Sequence, residues 1–208
     1  MNLSNYQYNF DKLLEHNERS SNFRLKREKA FTKFVKMGFP NKKMEDWRFT
    51  DLSSLIDTNY QIQIEEINKM NFGFSSSENG LEGVDTLVFY NGHFQKELSS
   101  IPQKTNITYK SYQKDEIFPR LEKLEQTPFD LLNKAFSSKS FLLELEPNVN
   151  LIKPVRFLFI SRGKNSIMSN PRIILKIGSS SSATFFEHHV GSAKSFFQNF
   201  SMFTLLDK

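Results

Sequence analysis

Cysteine is absent from all 208 residues. That excludes disulfides, Cys-ligated clusters, a thiol nucleophile and any Cys-containing zinc site within this chain. No apolar run approaches the about 18 residues that a membrane-spanning helix needs, so no membrane contact is expected. The first twenty residues lack the basic-then-apolar pattern of a secretory leader, and the expected location is the cytoplasm. Without a secretory route the Asn-x-Ser/Thr sequences at Asn2, Asn106 and Asn199 carry no meaning. No Gly-x-Ser-x-Gly elbow and no His-Glu-x-x-His helix is present. Gly163-Lys164 lacks the upstream glycine and the following Ser/Thr of a phosphate loop, so ATP hydrolysis by this chain is not expected.

What is present points to a packed globular fold. The chain is 38% hydrophobic and 25% charged, which rules out wholesale disorder. Its length suits one large domain or two small ones. Phenylalanine occurs 22 times, so Phe is expected to fill much of the core. The formal charge of +5 permits an anionic partner without demanding one.

Helical periodicity runs from Phe23 to Met37. Phe23, Ala30, Phe31, Phe34, Val35 and Met37 cluster on one side, and Lys26, Lys29, Lys33 and Lys36 form a basic stripe beside them. "MGFP" ends that helix: Gly38 takes the left-handed position, Phe39 folds back toward Phe34, and Pro40 blocks continuation. Thr50 or Asp51 is positioned to cap a short helix over "LSSLI". "YQIQIEEI" reads as a short strand, and "NFGFSSSENGLEG" as a loop. Thr86 to Tyr90 is a strand leading into Asn91-Gly92, the strongest two-residue hairpin signal, and "NITYKSY" is a further strand. A helix is expected over Pro119 to Gln126. A second is capped by Thr127, with Pro128 first and Asp130 completing a capping box; Phe129, Leu132, Ala135 and Phe136 form its apolar stripe.

From Ser140 onward the chain reads as all β. "SFLLELE", "VRFLFIS", "RIILKI", "ATFFEHHV" and "SFFQNFSMFTLL" are strands, separated by "PNVNLIKP", "RGKNSIMSNP", "GSSSS" and "GSAK". Their spacing fits a sandwich or a solenoid, and periodicity does not choose between them. The pattern stops at Lys208 in mid-sheet, so continuation of the natural chain and self-association through an open edge are both expected.

Candidate chemistry is sparse. In "EHH" a strand puts Glu187 and His189 on one face and His188 on the other, so the two histidines do not share a metal. A site at Glu187 and His189 needs a third ligand that the sequence does not name. His93, after the Asn-Gly turn, is expected to be exposed, and His16 has no partner in view. The stripe from Lys26 to Lys36 gives an alternative reading, a small basic nucleic-acid-binding protein. A solvated helix face is the simpler reading, because basic and aromatic residues do not alternate as they do in RNA-binding sheets. Trp47, beside a helix stop, reads as a packing anchor. Residues alone thus give a cysteine-free α+β protein without a self-contained active site, which favours a scaffold or binding subunit.

"GFPNKKMEDWRFTDL" then resembles the SufB/SufD family of iron–sulfur cluster assembly proteins, on its SufD side. The family motif is matched by Gly38, Pro40, Glu45, Trp47, Arg48, Phe49, Thr50 and Leu52, with Asp46 in the variable slot. Three later segments resemble the family in the same order: Leu87 to Pro102, Phe129 to Ser161, and Asn170 to Phe200 with its Glu187 and Asn199. The resemblance implies an N-terminal helical and mixed region over 1–139, then the first coils of a right-handed parallel β-helix over 140–208. It implies a non-enzymatic scaffold acting with SufB and the ATPase SufC in a SufBCD-type complex. The parent complex handles iron–sulfur clusters; no cofactor, metal or catalytic residue is expected in this chain, and no nucleic acid. Family members are about twice as long. The residues to which the family owes its function, and the region contacting SufC, fall in the remainder, so none is carried over.

Overall fold

The computed structural model describes residues 3–16, 22–64, 82–100, 106–112, 127–137 and 139–207. The helix expected over Pro119 to Gln126 and most of the Ser/Gly-rich stretch lie outside them.

Helices α1 (Ser4–His16) and α2 (Asn22–Met37) open the chain. α1 buries Tyr6, Asn9, Phe10 and Leu13, a spacing of three and four that aligns one face. α2 buries Arg27, Ala30, Phe31 and Phe34. The two helices meet through stacked rings, with Phe10 and Phe31 centroids 4.1 Å apart. Val35 and Met37, expected on the same face, are 44% and 46% exposed. The buried face is set by Ala30, Phe31 and Phe34, and one further step around the helix carries Val35 into solvent. The stop at Gly38 takes the expected form: φ is +71°, and its N–H donates to the Phe34 carbonyl at 2.7 Å. Phe39 folds back edge-on to Phe34 at 5.0 Å. A short α3 follows (Ser53–Asp57). Asp51 Oδ1 accepts the Ser53 N–H at 2.9 Å and its hydroxyl at 2.6 Å. Those two hydrogen bonds hold the Asp51 carboxyl below its ordinary range.

Helix α4 (Pro128–Phe136) starts as its sequence dictates. Thr127 accepts from the Asp130 N–H, and Asp130 accepts from the Thr127 N–H at 3.0 Å, closing a capping box ahead of Pro128. Thr127→Ala removes one half of this exchange at an exposed position. The expected cost is about 1 kcal/mol, read as a fall in urea midpoint at unchanged m-value. α4 packs on α2, and Phe136 joins Phe10 and Phe31 in one aromatic cluster with centroids 5.7 and 5.8 Å away.

The strands are β1 (Gln61–Ile62), β2 (Asp85–Tyr90), β3 (His93–Ser100), β4 (Ile107–Tyr112), β5 (Ser140–Leu145), β6 (Val155–Ser161), β7 (Ile167–Ser169), β8 (Arg172–Ile177), β9 (Phe185–Gly191), β10 (Phe196–Gln198) and β11 (Ser201–Leu206). They make three sheets, ordered β1-β7-β10, β11-β8-β5-β4 and β3-β2-β6-β9. All pairings are parallel except β2 with β3 and β4 with β5. From β5 onward the chain visits the three sheets in rotation. Ser140 lies beside Arg172, Val155 beside Phe185, Ile167 beside Phe196 and Arg172 beside Ser201, so each turn takes about 30 residues.

β2 and β3 join through Asn91 (φ 46°) and Gly92 (φ 89°), the two left-handed positions of the tight hairpin that Asn-Gly favours. β7 was not expected; the sequence reads there as a separator. Ile167, Met168 and Ser169 become a strand because β1 and β10 flank them. The reading of "SFFQNFSMFTLL" as one strand is also corrected. It breaks at Asn199 and Phe200 into β10 and β11, in two different sheets.

One core lies between the sheets and includes Leu87, Phe89, Phe141, Leu143, Phe157, Phe159, Ile173 and Leu175. Every residue of β6 is buried, because its other face is covered as well, around Val88, Leu158 and Ile160.

Candidate functional site

The tryptophan turn grows out of the α2 stop. Past Pro40, Asn41 turns the chain: its Oδ1 accepts the Lys43 N–H at 3.0 Å and its carbonyl the Met44 N–H at 2.9 Å. A single 3₁₀ turn, Glu45–Trp47, follows, and the Thr50 N–H donates to the Trp47 carbonyl at 3.0 Å. The half-buried Trp47 ring lies 5.3 Å from Phe129, at the start of α4. Phe129 also contacts Phe39 at 5.8 Å and Phe197 of β10 at 6.1 Å. Phe39 and Trp47, through Phe129, thereby connect the end of α2, the start of α4 and the parallel sheets, with Gly38 and Pro40 in the chain reversal that brings them there. Glu45, Asp46, Arg48 and Thr50 are exposed, and Leu52 is half-buried, its carbonyl accepting the Ile56 N–H in the first turn of α3. The Arg48 guanidinium covers the Phe49 ring at 4.5 Å, and Phe49 is 88% exposed. The turn holds a packed side and a solvent side, with no pair of groups set for proton transfer.

Glu187 and His189 do share a face. Glu187 Oε2 and His189 Nε2 are 3.0 Å apart. They stand in register with Phe157 and Phe159, on the side of β9 that faces the core between the sheets. The His189 ring stacks on Phe159 at 4.9 Å. His188 lies on the opposite face, with Nδ1 3.4 Å from Arg156 Nη1. Arg156 is buried, which lowers its pKa, and its Nε donates to Thr86 Oγ1 at 3.2 Å. Among the described residues no three His, Asp or Glu side chains converge on one point. The Glu187–His189 pair therefore offers two donor atoms, fewer than the three or four protein ligands of a zinc site.

His93 corrects the sequence reading. It is buried, and its Nε2 lies 2.8 Å from the Gln63 carbonyl, a neighbour thirty residues back in the chain. His16 is exposed at the end of α1, and Gly163-Lys164 is an exposed turn between β6 and β7.

Sequence reading missed the buried polar residues at the junction of helices and sheets. Asn133, fully buried, donates through Nδ2 to the carbonyls of Pro171 (3.1 Å) and Asn199 (2.7 Å). Asn199 Nδ2 donates to the Phe129 carbonyl at 2.9 Å and to Asn170 Oδ1 at 3.1 Å, one turn of chain below. Arg27, under α2, donates to the Ser137 carbonyl and lies over the Phe23 ring at 4.4 Å; burial pushes its pKa down to about 10. The one local signal was an asparagine inside the apolar face of α4.

These features define a mixed α+β protein: a phenylalanine-rich helical cluster tied to three largely parallel sheets. Residues 3–156 match the family model described as the SufBD protein N-terminal region, and the chain belongs to the SufBD family. It is also similar to an iron–sulfur cluster assembly SufBD family protein of Synechocystis sp., 27% identical over 179 residues. That alignment covers 79% of this chain and 38% of the relative, so the chain spans well under half the length of the protein it matches. Among the described residues no helix is long and apolar enough to cross a membrane.

Proposed function

We propose that this chain is the N-terminal part of a non-enzymatic SufD-type scaffold subunit, acting in the cytoplasm in a SufBCD-type complex that assembles iron–sulfur clusters. The observation that carries this reading is the family match across residues 3–156. The Synechocystis relative is named as an iron–sulfur cluster assembly protein. The geometry is in keeping with a scaffold: three sheets that gain one strand per turn of about 30 residues are what the first coils of a right-handed β-helix require. In the proposed role SufC is the ATPase, the cluster is cargo, and this chain holds no cofactor of its own.

The reading is tested in the native organism. The protein containing this chain is tagged and purified, and SufB and SufC are sought in the eluate. Both are expected to co-purify, and depletion of the protein is expected to lower the activity of iron–sulfur enzymes. Recovery of the protein without either partner, with those enzymes unaffected, would overturn the scaffold reading.

A further inference from the structure

A groove of about 530 Å³ runs beside the exposed side of α2 and against α4. Ala30 and Leu131 line it but are buried, so Leu25, 56% exposed, is the apolar side chain it offers to a partner among the described residues. Its walls carry Lys26, Lys29, Lys33 and Lys134. Glu28 also lines it, and that carboxylate is engaged by Arg24 Nε at 2.9 Å. The groove therefore combines an exposed leucine with lysines of one charge sign, and Lys29 and Lys33 stand exposed beside it.

We infer that this groove docks an acidic amphipathic helix of a partner protein. Such a helix sets its apolar residues, spaced three and four apart, on Leu25 and on the methylene stems of the neighbouring lysines. Its Asp and Glu side chains then meet Lys29 and Lys33. From Leu25 to Lys33 the groove follows α2 for about 12 Å, enough for two turns of a docked helix. Charge complementarity selects this occupant over a second copy of the chain, whose own α2 would bring lysine against lysine. It also selects against single-stranded nucleic acid. Among the described residues no aromatic side chain lines the groove for bases to stack on, and phosphates would leave Leu25 unused. The inference rests on the α2–α4 geometry and not on the assembly role, so its failure leaves that role standing.

The test is a selection of short random peptides displayed against this chain, with the Lys29→Glu/Lys33→Glu variant as the counter-selection target. Enriched peptides are expected to be acidic, with apolar residues at helical spacing. Binding of a selected peptide should weaken about tenfold or more in the double variant, and comparably in Leu25→Ser. All three positions are exposed, and unchanged melting curves would show that the variants fold. Failure to enrich any peptide, or enrichment of peptides without net negative charge, would overturn the proposal. So would a labelled single-stranded oligonucleotide that binds through Lys29 and Lys33 with no dependence on Leu25; that outcome would mark a phosphate-binding face.

Discussion

Phe159→Ala is expected to remove about 3–5 kcal/mol of folding stability. The ring is 2% exposed and stands in a vertical stack. Register places Phe89 of β2 on one side and His189 of β9 on the other. Their ring centroids lie 5.2 and 4.9 Å away, and Phe200 closes the column at 4.9 Å. The truncation leaves a cavity between three successive layers of strands, and stiff neighbouring strands cannot collapse into it. Against a typical total of about 5–15 kcal/mol, the loss is a large fraction of the whole. Urea unfolding followed by far-ultraviolet circular dichroism measures it. Trp47, the chain's only tryptophan, reports the helical cluster in the same experiment. If the helical cluster and the sheets unfold as one unit, both signals shift together. A loss under about 1 kcal/mol would mean that the column is not packed as described.

What the sequence made legible is what local chemistry decides. Gly38-Phe39-Pro40, Asn91-Gly92 and the Thr127-to-Asp130 capping box each act within four residues, and each takes its expected form. The start positions of β5, β6 and β8 were legible for the same reason, apolar runs bounded by Pro, Gly or Ser, while β9 begins at Phe185, two residues after the start of "ATFFEHHV". β7 was not, because Ile167 to Ser169 is a strand only by virtue of β1 and β10, which lie about a hundred residues before it and thirty after it. His93 failed in the same way. Its burial depends on Gln63, and nothing in the residues around Asn91-Gly92 announces that partner. Val35 and Met37 illustrate the reverse error, since hydropathy alone cannot show where a buried helix face ends. The candidate site divides along this line. Glu187 and His189 could be assigned to one face from strand alternation. That this face looks toward the core became visible only through the register with Phe157 and Phe159.

Asn133→Leu is the second large expected effect, and it follows from a residue that helical periodicity would assign to the apolar face of α4. The leucine keeps the same side-chain branching and adds hydrophobic surface, so connectivity alone suggests a tolerated swap, although its methyl groups are bulkier than the amide. The hydrogen bonds predict otherwise. Asn133 Nδ2 donates to the Asn199 carbonyl at 2.7 Å and the Pro171 carbonyl at 3.1 Å, and Oδ1 accepts from Arg172 Nη1 at 3.4 Å. Pro171 keeps the Ser201 N–H at 3.1 Å, so its carbonyl loses least. The Asn199 carbonyl loses its short contact, and the buried Arg172 loses an acceptor. Removing one partner of a buried polar group costs about 1–3 kcal/mol each time, and the two losses together predict roughly 2–6 kcal/mol. The damage is also local. Asn133 lies on α4, and Pro171 and Asn199 lead into β8 and β11, so the variant should loosen the helices from the sheets before either comes apart. Amide hydrogen exchange is expected to accelerate most across α4 and at Ser201, with the middle of β6 least affected. Uniform acceleration over the whole chain would show that Asn133 contributes to global stability without being the specific tie between helices and sheets. A stability change within about 0.5 kcal/mol would show that leucine's added apolar contact offsets the lost hydrogen bonds.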